Sequence, residues 1–149
     1  MSLKSTKTFF LSFFRELFVY HHTSLEFRAK LFASMIASNQ IDNSCEYVVL
    51  KKIAKEIYKE DEYRVDVLVH TTKEYVNKII QNDSLDIDHL LLDIDKEMRK
   101  HKRFVDKINM DHLRSFYACN GDEDTILLQT RILEFYESEI KSRKKVSTT

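Results

Sequence analysis

Four carboxylates stand in two short polar segments, and carboxylate oxygens are the groups that hold calcium or magnesium. Asp42 and Glu46 belong to elbow 1 (residues 39–46), and Asp122 and Asp124 belong to elbow 2 (residues 119–125). If the two elbows pack against each other, these acids form a loose site for a divalent cation. The alternative is that they cap helix N-termini and complement helix dipoles. An EF-hand is excluded, because neither segment has Gly and Glu at the required positions of the loop.

Two histidines have a carboxylate one helical turn away, which is the spacing of a zinc pair or an acid–base couple. The pairs are His70 with Glu74 and His89 with Asp93. A metal-dependent hydrolase could combine His70 and Glu74 with the elbow acids, but the sequence has no HExxH or comparable signature. Solvated side chains on polar helix faces are the alternative, and we predict that the chain is not an enzyme.

A basic run could contact phosphate or an acidic partner; it comprises Arg99, Lys100, Lys102 and Arg103. Cations also suit the C-terminal end of a helix, so the run has a purely structural interpretation. Across the whole chain 24 basic and 24 acidic residues cancel. Nucleic-acid binding relies on an excess of positive charge, and this balance argues against it.

The N-terminal segment, residues 1–22, is rich in phenylalanine and includes Phe9, Phe10, Phe13, Phe14 and Phe18. Aromatic residues beside lysines can anchor a helix in the plane of a membrane surface. The alternative is a helix whose wide apolar face is buried in the bundle or in a homodimer. No apolar run approaches the ~20 residues that span a bilayer.

The elements that must position these groups are helices. The chain of 149 residues has no Pro and one Gly, Gly121, whereas sheets need such residues at their turns. Apolar residues recur at three- and four-residue steps, and in the first such helix they are Leu25, Ala29, Phe32, Met35 and Ile36. We predict one all-α domain over residues 1–149, a compact bundle of about seven helices with a frayed polar tail at 141–149. It is built from two helix–elbow–helix hairpins.

Two cysteines, Cys45 and Cys119, lack the clustered spacing of a zinc site or a disulfide framework. We therefore expect free, mostly buried thiols in a reducing cytoplasm. A cytoplasmic protein is the prediction, and the Phe-rich segment would place it peripherally at the inner membrane face.

The segment RAKLFASMIASNQIDNSCEYVVLKKIAKEIY, from Arg28 to Tyr58, resembles the TerB-like (tellurite-resistance B) family of small helical domains. Ser38-Asn39 stands where that family has Asp-Gly. The resemblance implies an all-helical bundle in which Ile41 is the buried elbow residue and Asp42 and Glu46 are the acidic positions. It also implies a divalent-cation site at the elbows and a role in stress response or as an interaction module.

These observations predict a non-enzymatic interaction or stress-response module resembling TerB. Its working surface would be the acidic elbow region around Asp42, Glu46, Asp122 and Asp124. A protein partner would dock there, with a calcium or magnesium ion modulating the contact. The alternatives are a peripheral membrane protein that uses the Phe-rich segment and a metal-dependent hydrolase.

Overall fold

The computed structural model describes residues 23–81 and 85–147. Its α-helices are α1 (Thr23–Ile36), α2 (Ser44–Tyr58), α3 (Glu62–Ile80), α4 (Ile87–Lys100), α5 (Met110–Arg114) and α6 (Glu123–Ser147). A first 3₁₀ helix (Lys102–Lys107) precedes α5 and a second (Ser115–Cys119) follows it. The described residues contain no strand, and the predicted all-α bundle of about seven helices is confirmed.

Helix α1 is the centre of the molecule. From Leu25 to Ile36 only Arg28 and Lys30 are not fully buried. The prediction of a single apolar stripe was too narrow, because Leu31 and Ala33 lie off that stripe and are buried as well. A helix that is apolar all round belongs in an interior. Accordingly α1 packs along α3 and also contacts α4, α5, α6 and the first 3₁₀ helix.

Short polar side chains begin three of the helices by accepting a hydrogen bond from a backbone N–H of the first turn. Asp61 accepts from Arg64 at the start of α3 (3.1 Å), and Asp86 accepts from His89 at the start of α4 (2.8 Å). Asn109 accepts from His112 at the start of α5 (3.2 Å).

Helices α1 and α2 flank elbow 1, and each packs chiefly against α3. The buried face of α2 includes Leu50, Ile53 and Ala54. On its other side α2 contacts the second 3₁₀ helix, which leads into elbow 2. The two elbows are thereby brought to the same part of the molecule, as a cation site would require.

The last helix extends farther than the sequence predicts. A frayed tail was expected over residues 141–149, but α6 continues to Ser147. Ion pairs explain the difference, since Arg143 lies 3.1 Å from Glu139 one turn earlier and 3.2 Å from Asp95 of α4. Pairs at this helical spacing stabilise the turn that they span.

A buried polar contact joins α1 to α6 through the core. The Ser34 hydroxyl donates to the Leu31 carbonyl (2.6 Å), and the Tyr136 hydroxyl lies 2.6 Å from the same Ser34 oxygen. Burial raises the pKa of Tyr136, so its hydroxyl stays protonated and donates to Ser34. The contact fixes the register of α6 against the central helix.

Candidate functional site

Elbow 1 is closed by the side chain of one residue, Asn39. The Asn39 amide oxygen accepts from the backbone N–H of Ile41 (3.2 Å). The amide nitrogen donates to the backbone carbonyl of Asp42 (3.1 Å) and to the Glu46 carboxylate (2.8 Å). The loop between α1 and α2 is therefore held from inside by three hydrogen bonds.

Glu46 turns inward rather than towards solvent, and its side chain is fully buried. One carboxylate oxygen accepts from Asn39, and the other has no hydrogen-bond partner among the described residues. Burial, followed by the nearby charge of Glu46, raises the pKa of Tyr47 to about 12. A buried carboxylate is costly unless it is hydrogen-bonded, so the Asn39–Glu46 contact links the order of elbow 1 to the interior.

Asp42 lies one residue before Asn43, the N-cap residue of α2, and its side chain binds the first helical residue. One oxygen of its carboxylate accepts from both the Ser44 backbone N–H (3.0 Å) and the Ser44 hydroxyl (2.6 Å). These bonds lower the pKa of Asp42, with the hydroxyl bond as the larger cause. Ser44 is the first helical residue, and the side chain of the N-cap residue Asn43 makes no capping hydrogen bond.

Elbow 2 is tied to the end of α1 by a relay of amide groups. The Asn120 amide donates to the Phe116 carbonyl (3.2 Å) and to the Gln129 side chain (3.3 Å). Gln129 is fully buried and donates to the Met35 carbonyl in the last turn of α1 (3.1 Å). The Asp122 carboxylate accepts from the Thr125 hydroxyl (2.9 Å) and so belongs to the start of α6.

Cys45 and Cys119 form a disulfide between the elbows, with their Cα atoms 5.7 Å apart. The prediction of two free, mostly buried thiols was wrong, because the described residues contain no free cysteine and Cys45 is exposed. Cα atoms at this separation are ordinary for a bridge. Each elbow carries one cysteine at its boundary with a helix. This shared position is the sequence feature that could have predicted the bridge.

The four carboxylates of the predicted cation site have different environments. Asp42 and Asp122 accept from Ser44 and Thr125, and Glu46 is buried against Asn39. Asp124 is exposed in the first turn of α6. Within residues 23–81 and 85–147, no group of three or more His, Cys, Asp or Glu side chains is placed to hold a metal ion. Asp42 and Asp122 thus each hold a residue at the start of the helix that follows its elbow.

We use the name elbow face for six exposed residues on the two sides of the bridge: Ile41, Asp42, Val48, Asp122, Glu123 and Asp124. Ile41 was expected to be the buried elbow residue, but 90% of it is exposed. It lies at the tip of a loop whose interior is occupied by the Asn39 amide. Val48, 69% exposed, follows Cys45 by three residues and shares its side of α2.

The basic run is divided by the fold. Arg99 and Lys102 line a cavity of about 630 Å³ with Asp95, Asp106, Glu139, Arg143 and others, whereas Lys100 and Arg103 are exposed elsewhere. Arg99 lies 2.9 Å from Asp95, so part of the basic charge is paired. The neighbouring Phe104 is buried and stacks on Phe27 with ring centroids 4.9 Å apart.

The two histidine pairs have different outcomes. His70 lies 3.1 Å from Glu74, as their spacing predicts. His89 contacts Asp86, the capping residue of α4, at 2.9 Å rather than Asp93. The fold therefore confirms one pair as a contact and replaces the other.

The five phenylalanines of the N-terminal segment (Phe9, Phe10, Phe13, Phe14 and Phe18) lie outside the described residues. Among the helices of the described part, none is long and apolar enough to cross a membrane.

Comparison of the chain with protein-family models, with curated proteins and with solved structures finds no significant match. The resemblance to the TerB-like family therefore stays a prediction that rests on the residues from Arg28 to Tyr58. The geometry of the elbows has to be interpreted on its own terms.

Proposed function

We propose that this chain is a non-enzymatic protein-interaction module that docks a partner on the elbow face. The observation that carries the proposal is the display of Ile41, which is 90% exposed on a loop that hydrogen bonds hold in place. An exposed isoleucine contributes nothing to the hydrophobic core. Holding it still lowers the entropy that a partner would otherwise lose on binding it.

The buried side of elbow 1 supports this interpretation. The Glu46 carboxylate is buried where it binds Asn39, and within the described part of the chain its second oxygen has no hydrogen-bond partner. Folding alone does not need this arrangement, because an apolar side chain at position 46 would be buried at lower cost. A backbone conformation that is maintained at a cost in stability is typical of functional sites such as binding surfaces.

The charges of the elbow face specify the partner. Asp42, Asp122, Glu123 and Asp124 are exposed, and neither elbow contains Lys or Arg. A matching surface would present an apolar side chain with lysines or arginines around it. We therefore propose a basic protein segment with an apolar anchor as the partner. The stress-response role implied by the resemblance is compatible with this docking and needs no bound cation.

A photo-cross-linking amino acid at Val48, in the full-length chain, tests the proposal in cells that express it. The same amino acid at Leu92, an exposed residue of α4, is the matched control. A protein captured from position 48 and not from 92 is then purified, and its affinity for the chain is measured. We expect Ile41→Asp to weaken binding by roughly tenfold or more, since buried anchors dominate interfaces. Added salt should weaken it further, and Leu92→Asp should leave it unchanged.

Three results would contradict the proposal. They are equal affinity of the captured protein for wild type and Ile41→Asp, equal capture from positions 48 and 92, and cross-links that join only copies of this chain.

A further inference from the structure

The Cys45–Cys119 bridge lies outside the hydrophobic core. Cys45 is in the first turn of α2 and is exposed, and Cys119 ends the second 3₁₀ helix and is partly exposed. Neither cysteine belongs to the cluster of buried apolar residues. Reducing agents reach exposed disulfides more readily than buried ones. The position of the bridge therefore makes reaction with a thiol feasible in the folded protein.

Helix α2 packs against the second 3₁₀ helix, which belongs to the second half of the chain. Apart from the bridge, a hydrogen bond joins Glu56 of α2 to His112 of α5 (3.0 Å). Helix α2 packs mainly against α3, which lies in the first half of the chain, well before elbow 2. The bridge is thus the covalent attachment between the start of α2 and elbow 2.

We propose that the Cys45–Cys119 disulfide is a reversible thiol–disulfide exchange site, opened by a dithiol, whose redox state sets how firmly the two elbows are held together. The inference concerns the chemistry of the bridge and goes beyond the docking function proposed above. A dithiol-containing reductant is the chemical class of the reaction partner. The consequence falls on the elbow face, since both elbows contribute residues to it.

The exchange proceeds in two displacements. One thiolate of the dithiol bonds to a sulfur of the bridge as the Sγ–Sγ bond breaks, and the other cysteine leaves as a thiolate and takes up a proton. The second sulfur of the dithiol then displaces the first cysteine, which is also protonated. The protein gains two electrons and two protons, and the dithiol becomes a disulfide.

Both redox states can remain folded, as a switch requires. Opening the bridge leaves no cavity in the core, and two links between the halves stay intact: the Ser34–Tyr136 contact and the Gln129 bond to Met35. The change is therefore expected to be local to the elbows.

The test equilibrates the full-length chain with mixtures of reduced and oxidised dithiothreitol, and separately with glutathione at a cytoplasmic ratio. Free thiols are trapped with iodoacetamide and counted by intact mass, and amide hydrogen exchange is measured on both states. We expect Cys45 and Cys119 to be labelled together in dithiothreitol without denaturant, and less fully in glutathione, which is a monothiol. In the reduced state, amide hydrogen exchange should be roughly tenfold faster or more in residues 39–50 and 115–125, and it should be unchanged in α1.

The double variant Cys45→Ser with Cys119→Ser should show the exchange pattern of the reduced wild type under oxidising conditions. The proposal is overturned if dithiothreitol makes the thiols reactive only in denaturant, or if the oxidised and reduced states show the same amide hydrogen exchange. Collapse of protection in α1 on reduction would also overturn it, because the bridge would then be a purely structural staple. If the variant does not fold, the titration of the wild type decides alone. Ile41→Asp should not change the thiol titration. Failure of the docking proposal can therefore be distinguished from failure of the redox proposal.

Discussion

Lys59 follows the last residue of α2 with a φ of 51°, and among the described residues it is the only non-glycine with a positive φ. Residues other than glycine are strained at positive φ, and the strain costs on the order of 1 kcal/mol. We expect Lys59→Gly to raise the free energy of unfolding by about 1 kcal/mol, measured by urea denaturation.

The control for this experiment is Lys52→Gly, at an exposed position in the middle of α2. Glycine there should lower the free energy of unfolding by about 1 kcal/mol, because it adds flexibility to a regular helix. Effects of the same sign at both positions would contradict the interpretation of Lys59 as strained.

Glu97 gives a prediction about pH. Burial raises the pKa of Glu97 above its ordinary value of 4.5, with the Lys30 ammonium 3.3 Å away opposing the shift. Because the folded chain holds this proton more tightly than the unfolded chain, the contribution of Glu97 to stability is complete below pH 4.5. It is then lost as the pH rises through the folded-state pKa.

The measurement compares the free energy of unfolding of wild type and Glu97→Gln across this pH range. The difference, wild type minus variant, should decrease with rising pH, and Glu60→Gln at an exposed position serves as the control. A difference that is flat or increases with pH would show that Glu97 does not carry the shift.

At the scale of elements, α1 depends on small residues that let its neighbours approach. Ala33 is fully buried on the central helix, so an added side chain has no space to occupy. We expect Ala33→Leu to lower the free energy of unfolding by about 1–3 kcal/mol. Ala118→Leu, at an exposed position, should change it by less than about 0.5 kcal/mol. Comparable losses at both sites would contradict the central position of α1.

The helices were predictable from the sequence because their spacing and caps are local. The apolar steps and the absence of Pro specify an all-α chain, and Asn109 was identifiable as a possible cap. The central position of α1 was harder to predict. The prediction considered one apolar stripe, although Phe27, Leu31 and Ala33 make the other sides of the helix apolar as well. Whether a helix is buried on one side or on all sides depends on the elements that pack around it, and the local spacing of apolar residues does not specify those elements.

The elbows show where local interpretation fails. Ile41 was expected inside because the resemblance to the TerB-like family implies a buried residue there, yet the loop is held by hydrogen bonds of the Asn39 amide and Ile41 is exposed. Glu46 was expected among exposed ligands and is buried instead. Both outcomes follow from hydrogen bonds among residues 39–46, which composition and periodicity do not report. The joining of Cys45 to Cys119 depends on the packing of distant segments.

At the scale of the whole molecule, the bridge contributes to global stability because it closes a long loop. Its cysteines are 74 residues apart. A cross-link of that span limits the conformations of the unfolded chain, and in the entropic account it is worth about 4 kcal/mol. We expect reduction to lower the midpoint of thermal unfolding by about 10 °C, with cooperative melting retained.

Calorimetry of wild type with and without dithiothreitol measures this change, and the double serine variant should match the reduced protein in both buffers. An unchanged midpoint would mean that the bridge does not constrain the unfolded chain. Loss of cooperative melting would mean that the reduced chain has no folded core of its own.

The same closed loop alters how the chain responds to mechanical force. When the ends are pulled apart, tension passes through the bridge, so the 74-residue span between Cys45 and Cys119 is not stretched. That span corresponds to roughly 250 Å of extended backbone, hidden while the disulfide is closed. In a single-molecule pulling experiment, adding a dithiol should release this length as a separate step. The oxidised molecule would therefore act as a short tether, and its reduced form as a long one.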